Sequence, residues 1–343
     1  MSDLTEVRGE DSFDVEKLHS WLVQQLPDLY GPPQVLQFRS GASNLTYLLQ
    51  YPDRDLVLRR PPFGVKAASA HDMRREVLIQ SALRPHFPYV PKIIGFSDDL
   101  SIMNSDFYVM ERIPGTILRR EMPKDLTLSE AQIRDIGESM ISGWVELHSV
   151  DASILESLHK GEGYVQRQVE GWSRRYRAAL TDDVPDGEDV MNWLELHQPA
   201  DVKHCVIHGD WRLDNIVLNL DAAKLVGVLD WELATVGDPL MDLGSSLAYW
   251  INADDPQDFA LLRRQPSNLP GMPTRSEIVA RYLELSGIDC DDFTFYEVFG
   301  LFRLSVIIQQ IWIRYRLGQT TNPAFSDFGN AVNVLISRAR SLM

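Results

Sequence analysis

The sequence predicts an α+β chain of two lobes, the first rich in strands and the second mainly helical. Three observations carry this reading. Strand-like apolar runs crowd the N-terminal third, at Val35–Arg39, Leu45–Gln50, Leu56–Arg59 and Phe107–Glu111. The breaker Pro114-Gly115 follows the last of them directly. Beyond it, apolar residues recur at steps of three and four, interrupted by one short β stretch. Regular strand–helix alternation, the mark of a doubly wound sheet, is absent. With 343 residues, two domains are expected, split as 1–113 and 114–343.

In the first domain, Val15, Leu18, Leu22 and Leu26 predict a short amphipathic helix ending before Gly31-Pro32-Pro33. Leu45–Gln50 and Leu56–Arg59 flank the polar turn Asp53-Arg54-Asp55, which suggests a hairpin. A helix is expected over Ala70–Leu83. In the second domain, Ser129 and Gln132 read as a capping box opening a stripe of Ile133, Ile136, Met140, Trp144 and Leu147. Val165, Val169, Trp172, Tyr176 and Leu180 form another stripe. Strands at Cys205–Ile207, Ile216–Leu218 and Leu225–Leu229 follow, and helices resume with Pro239 in a first turn.

Composition narrows the function classes. The net charge of -16 argues against nucleic acid or an anionic membrane as the main partner. A nucleotide stays open, because a local cluster of cations and amides suffices to bind phosphate. Two distant cysteines, Cys205 and Cys290, argue against structural zinc and a disulfide framework. The acidic N-terminus is no secretory signal, and the apolar stretch Phe299–Ile313 is broken by Arg303, Gln309 and Gln310. Asn44-Leu45-Thr46 matches a glycosylation sequon, without a signal peptide to give it meaning. A cytoplasmic protein is expected, with its oligomeric state undetermined.

The chemistry concentrates in His208-Gly209-Asp210-Trp211-Arg212-Leu213-Asp214-Asn215, followed by a hairpin and Asp230-Trp231-Glu232. Phosphoryl transfer needs a carboxylate to orient an acceptor hydroxyl and take its proton. It also needs hard oxygen donors for Mg²⁺. Asp210 sits on a loop leaving a strand, five residues before Asn215. Asp230 ends the next strand pair, which would return it to the same edge. Taken singly, each acid reads as a turn or cap residue, and the joint spacing is what makes the pattern specific. Trp211 and Trp231 read as core.

The run HGDxxxxN with DxE resembles the aminoglycoside phosphotransferase and choline kinase superfamily, which has the bilobal protein-kinase-like fold. The resemblance implies Asp210 as catalytic base and Asn215 and Asp230 as Mg²⁺ ligands, with Glu232 holding metal or its waters. It implies Arg212 near the γ-phosphate, His208 as a buttress and Asp242 as an anchor of the loop through backbone N–H groups. Upstream, Ser40-Gly41-Ala42-Ser43-Asn44 lies between strands where small residues can lay amides over phosphates. Ser40, Gly41, Ser43 and Asn44 are thus nucleotide-binding candidates, with a plain hairpin turn as the alternative. No Gly-Lys-Ser/Thr follows, so this is no P-loop. Arg59 stands where the family's strand carries lysine, and an arginine fork is not a neutral exchange. Glu76 matches the helix acid that pairs with that cation; a solvated helix charge is the alternative. Phe107–Gly115 resembles the hinge, where Glu111 C=O and Ile113 N–H would meet a purine.

The likeness extends over nearly the whole chain. Gly41–Tyr47, Leu58–Pro62, Ser69–His71, Gln166–Gln168 with Trp172, and His208–Asp242 look similar to the phosphotransferase domains fused to acyl-CoA dehydrogenases and to free-standing bacterial relatives. That subgroup implies a hydroxyacyl-CoA acceptor. CoA is anionic, and Arg167 and Arg174 would share one helix face, a candidate substrate patch; a solvated charge run is the other reading. An aminoglycoside, choline-like or sugar acceptor would want an acidic, aromatic-lined pocket. The sequence thus predicts a Mg²⁺-dependent kinase taking ATP or GTP and a small hydroxylated substrate. A metal-dependent hydrolase and a nucleotide-binding pseudokinase are the alternatives of other classes.

Overall fold

The structure, a computed structural model, describes residues 4–39, 44–62, 72–123 and 126–343. The chain divides into two compact units, Met1–Pro114 with Gly227–Glu232, and Gly115–Val226 with Leu233–Met343. The second part of the first unit is a difference from the sequence reading. Asp230 and Glu232, expected in the domain 114–343, belong to the first unit.

The first unit is an antiparallel sheet of β1 (Leu4–Thr5), β2 (Gln34–Phe38), β3 (Leu45–Gln50), β4 (Asp55–Arg60), β5 (Ile93–Ser97) and β6 (Phe107–Glu111). Its strand order is β1-β2-β3-β4-β6-β5. With it come α1 (Val15–Gln25), α2 (Met73–Leu83) and α3 (Leu100–Met103). The helix expected from Ala70 starts at Met73, where Asp72 accepts the amide of Arg75 as N-cap; residues 70 and 71 lie outside the described set. Alternation along the strands sorts side chains to two faces. Leu56 and Leu58 of β4 join Leu18 and Leu22 of α1 and Phe107 and Val109 of β6. Val57 packs with Met73 of α2 and with Tyr108 and Met110. Arg59, two residues after Val57, shares the α2 face. Arg60 falls on the other and is buried, donating to Tyr47 Oη and to the Asp11 carbonyl.

Gly227–Glu232 packs with this unit through both its backbone and its side chains. Val228 N–H donates to Tyr89 O at 2.8 Å, and the Trp231 ring lies edge-on to Phe87. Arg75 donates to Glu232 O at 2.7 Å, and Arg59 pairs with Asp230.

The second unit contains α4 (Glu130–His148), α5 (Tyr164–Ala179), α6 (Glu188–His197), β7 (Cys205–Ile207), β8 (Ile216–Asn219), β9 (Lys224–Val228, its last two residues in the first unit), β10 (Thr235–Gly237), α7 (Pro239–Leu247), α8 (Gln257–Ala260), α9 (Arg275–Ser286), α10 (Thr294–Arg316) and α11 (Phe328–Arg340). β7 pairs with β10, and β8 with β9. The Ser129–Gln132 capping box forms, and Pro239 takes the first turn of α7. Leu180, expected in the apolar stripe of α5, is its C-cap and is exposed. Short β1 and β10 were not signalled by sequence, because few residues leave no period to detect; β5 was missed because Gly95 interrupts its run, at a register irregularity against β6.

α7 and α10 approach closely at two glycines. A Cβ on Gly300 would lie 2.0 Å from the Gly244 carbonyl oxygen, and one on Gly244 would lie 2.2 Å from the Tyr296 carbonyl oxygen. Backbone cannot step aside as a side chain can. Gly300→Ala is therefore expected to cost about 1–3 kcal/mol by overpacking, despite the gain in helix propensity. Gly171→Ala on α5 meets nothing closer than 4.0 Å and is expected to stabilise by roughly 0.5–1 kcal/mol. Urea denaturation of the two variants checks the contrast.

Candidate active site

In the first unit the site residues gather around Arg59. Its guanidinium lies 3.4 Å from Glu76, 3.0 Å from Asp230 and 3.9 Å from Glu232. Glu76 is itself buried, accepting from Tyr108 Oη at 2.8 Å and from Asn44 Nδ2 at 3.2 Å. Asn44 also reaches Glu232 at 3.3 Å. Burial pushes the Glu76 carboxyl up, while Arg59 and the Tyr108 hydroxyl pull it back. For Arg59, burial acts to lower the pKa, but Tyr108, Glu76 and Asp230 together hold it above the usual range. The cation is therefore fixed as a cation. Asp230 adopts φ 65°, a left-handed backbone rare for a residue with a Cβ. This turn comes two residues after β9, and its carboxylate remains one-third exposed.

In the second unit the loop after β7 carries the other group. Gly209, at φ 80°, turns the chain where a Cβ would lie 2.9 Å from Leu233 Cβ. The buried Asp242 of α7 accepts the amides of Gly209 at 2.8 Å and His208 at 3.3 Å. It also receives Trp144 Nε1 at 3.0 Å and faces His148 Nε2 at 3.1 Å, and His148 Nδ1 meets Tyr282 Oη at 2.6 Å. Burial acts to raise the Asp242 pKa, yet His148 and Trp144 hold it below the usual aspartate value. Fully buried His208 accepts the Asp210 amide on Nδ1 at 3.2 Å.

Asp210 then presents its carboxylate between two partners. Asn215 Nδ2 donates to its Oδ2 and to its backbone carbonyl, both at 2.9 Å. Arg212 Nε lies 3.1 Å from its Oδ1, and Arg212 Nη2 lies 3.1 Å from Asp214. The Arg212 guanidinium covers the Tyr249 ring at 4.5 Å. Burial raises the Asp214 pKa, and Arg212 acts against it. Trp211 and Trp231 are both buried, as the sequence predicts.

The remaining predicted residues fall as follows. Ser40, Gly41 and Ser43 lie outside the described residues. Glu111 donates its amide to Lys92 O at 2.9 Å, and half-buried Ile113 lies two residues on, beyond the end of β6. Arg167 is engaged with the carbonyls of Gly161 and Glu162. Arg174 is largely exposed, 3.9 Å from Glu170. Arg175 stacks on Trp172 at 4.5 Å and Arg177 pairs with Glu188. Two residues that hold the loop were not found by sequence reading. Arg303 donates to the Gly209 carbonyl at 2.9 Å, and Gln265 accepts the Leu213 amide at 2.9 Å. A lone cation inside the apolar run of α10 was the available signal for Arg303. Gln265 had none.

A strand-rich unit and a mainly helical one are the parts of a kinase-like phosphotransferase fold, and residues 34–278 match the phosphotransferase enzyme family. The chain belongs to that family and is a small-molecule phosphotransferase. It is 37% identical over 306 residues to acyl-CoA dehydrogenase family member 10 of Mus musculus, covering 87% of this chain and 28% of the relative. It is 34% identical over 350 residues to acyl-CoA dehydrogenase family member 11 of Homo sapiens, covering 97% of this chain and 44% of the relative. The chain thus spans less than half the length of these relatives. A crystal structure of a putative aminoglycoside phosphotransferase from Ralstonia eutropha JMP134 superposes with TM-score 0.82 at 29% identity, covering 96% of this chain and 98% of that one. The ADP-bound aminoglycoside phosphotransferase APH(2'')-Ib shares the fold, with TM-score 0.58 at 16% identity over 96% of this chain and 99% of that one. Among the described residues, no helix is long and apolar enough to cross a membrane.

The Asp242 node supplies a stability prediction. A carboxyl whose folded pKa is depressed contributes stability that is full above its unfolded value, about 3.9, and is lost as pH falls through the folded value. Asp242→Asn leaves buried donors facing an amide, and is expected to cost about 3–5 kcal/mol at neutral pH. The difference from wild type should shrink below about pH 4. Urea midpoints across pH measure both.

Proposed function

We propose that the chain transfers the terminal phosphoryl group of ATP or GTP to a hydroxyl of a small molecule. The observation that carries this reading is Asp210, a carboxylate pinned by Asn215 and Arg212 on a loop whose amides are gripped by Asp242. A general base must be held in one orientation within reach of the hydroxyl proton. Asp210 would accept that proton, and Arg212 would steady the carboxylate and the transferring group.

The donor set suits Mg²⁺, which favours hard oxygen ligands. Asn215 uses its amide nitrogen on Asp210 and keeps its carbonyl oxygen to offer. Asp230 and Glu232 offer carboxylates beside Arg59. The bound ion would neutralise phosphate charge. Arg59, fixed by Glu76, would bind phosphate oxygens through its planar fork. The Glu111 carbonyl and the Ile113 amide would take the purine edge.

For the acceptor, a hydroxyacyl-CoA is the reading supported by the likeness to the acyl-CoA dehydrogenase family members. Of the two candidate cations, Arg174 is exposed and available to an anionic ligand, whereas Arg167 is occupied by backbone carbonyls. Asp210→Asn is expected to lower kcat by about 10²–10⁴-fold with nucleotide affinity little changed. ADP release measured across hydroxyacyl-CoAs, aminoglycosides, amino alcohols and sugars, with mass analysis of the product, tests both parts. Near-normal turnover in Asp210→Asn refutes the base. Ester hydrolysis without ADP release would instead favour a hydrolase.

A further inference from the structure

Outside the residues used above, a second cluster of ligand-bearing side chains lies in the second unit, ahead of β7. His204 Nε2 stands 2.9 Å from Asp201 Oδ2 and 3.7 Å from Glu162 Oε2. The three ligand atoms all lie within 4.8 Å of one another. Ligand atoms around a tetrahedral zinc ion, each about 2.0–2.1 Å from it, are roughly 3.3 Å apart. The two short separations bracket that figure.

The residues around the cluster fix its members. Asp201 is held by the amides of Tyr164 and Val165, both at 2.8 Å, so its carboxylate caps α5 and cannot swing away. Glu162 is exposed, but its loop is not free. Gly161 and Gly163 take φ 76° and 79°, and Arg167 donates to the carbonyls of Gly161 and Glu162. His204 turns its other nitrogen to His159 Nε2 at 3.2 Å. A metal-bound imidazole donates its second ring N–H to an acceptor, most often a carboxylate, carbonyl or water, and the neutral His159 ring nitrogen can accept it here and set the tautomer.

We propose that His204, Asp201 and Glu162 bind a zinc-class divalent ion, with His159 positioning His204. One imidazole and two carboxylates suit zinc or a neighbouring late transition ion, and three protein ligands leave a position for water. The scarcity of cysteine argues only against thiolate ligands. The ion would fasten the 161–163 loop to the segment leading through β7 into His208 and Asp210. The site is independent of the phosphotransfer reading.

The test uses the full chain without a histidine tag, stripped with chelator and titrated with Zn²⁺ and, for its absorption bands, Co²⁺. One equivalent is expected to bind, raising Tm, without competition from excess Mg²⁺. Glu162→Gln, at an exposed position, should weaken binding by about tenfold or more, and His159→Gln by about 10–100-fold. His204→Ala should abolish it, while Asp210→Asn should bind as wild type does. Absence of saturable binding at micromolar Zn²⁺, or binding unchanged in Glu162→Gln and His204→Ala, overturns the proposal and leaves an ordinary His204–Asp201 hydrogen bond.

Discussion

A buried carboxylate that gathers two amides, an indole and an imidazole is the constraint on which the second unit turns. Asp242 accepts two loop amides and an indole, and faces an imidazole. Trp144, His148 and His208 are buried with Asp242, so their interactions with it have no water to replace them. The result is a loop whose path through His208, Gly209 and Asp210 is dictated from beneath. Arg303 then holds the Gly209 carbonyl and Gln265 the Leu213 amide, so the backbone around Asp210 is secured from several directions. A carboxylate intended for proton transfer gains orientation from such support.

The first unit solves a different problem, keeping a cation available in a nearly buried place. Arg59 is surrounded by Glu76, Asp230 and Glu232, and Tyr108 and Asn44 satisfy Glu76 in turn. Breaking one member would leave a charge without its partner, so the cluster stands or falls together. The left-handed turn at Asp230 is part of the same arrangement, since it places an acid two residues after β9 next to the guanidinium.

Much of the site was legible. Resemblance singled out Arg59 and Glu76, and the alternation of β4 then puts Arg59, not Arg60, on the face with Val57 toward α2. The spacing of Asp210 and Asn215 on one short loop likewise permits the 2.9 Å hydrogen bond between them. The Ser129–Gln132 capping box and the first-turn Pro239 were also readable, because their partners lie three residues away or fewer. Arg167 shows the opposite outcome. Its place on a helical face suggested a ligand patch, but left-handed glycines bring a loop back onto it.

The sequence by itself determined the order of the main strands and helices it signalled, the apolar stripes of α1, α4 and most of α5, and the residues of the phosphotransferase motif, because these follow from short periods and near neighbours. Only the tertiary structure decided that Gly227–Glu232 packs with the first unit, that Arg303 reaches a carbonyl 94 positions away, and that His204 lies against Glu162 and Asp201. Those contacts depend on where packed helices and loops bring distant backbone groups. No local pattern records a partner chosen by an unsatisfied hydrogen bond elsewhere in the fold.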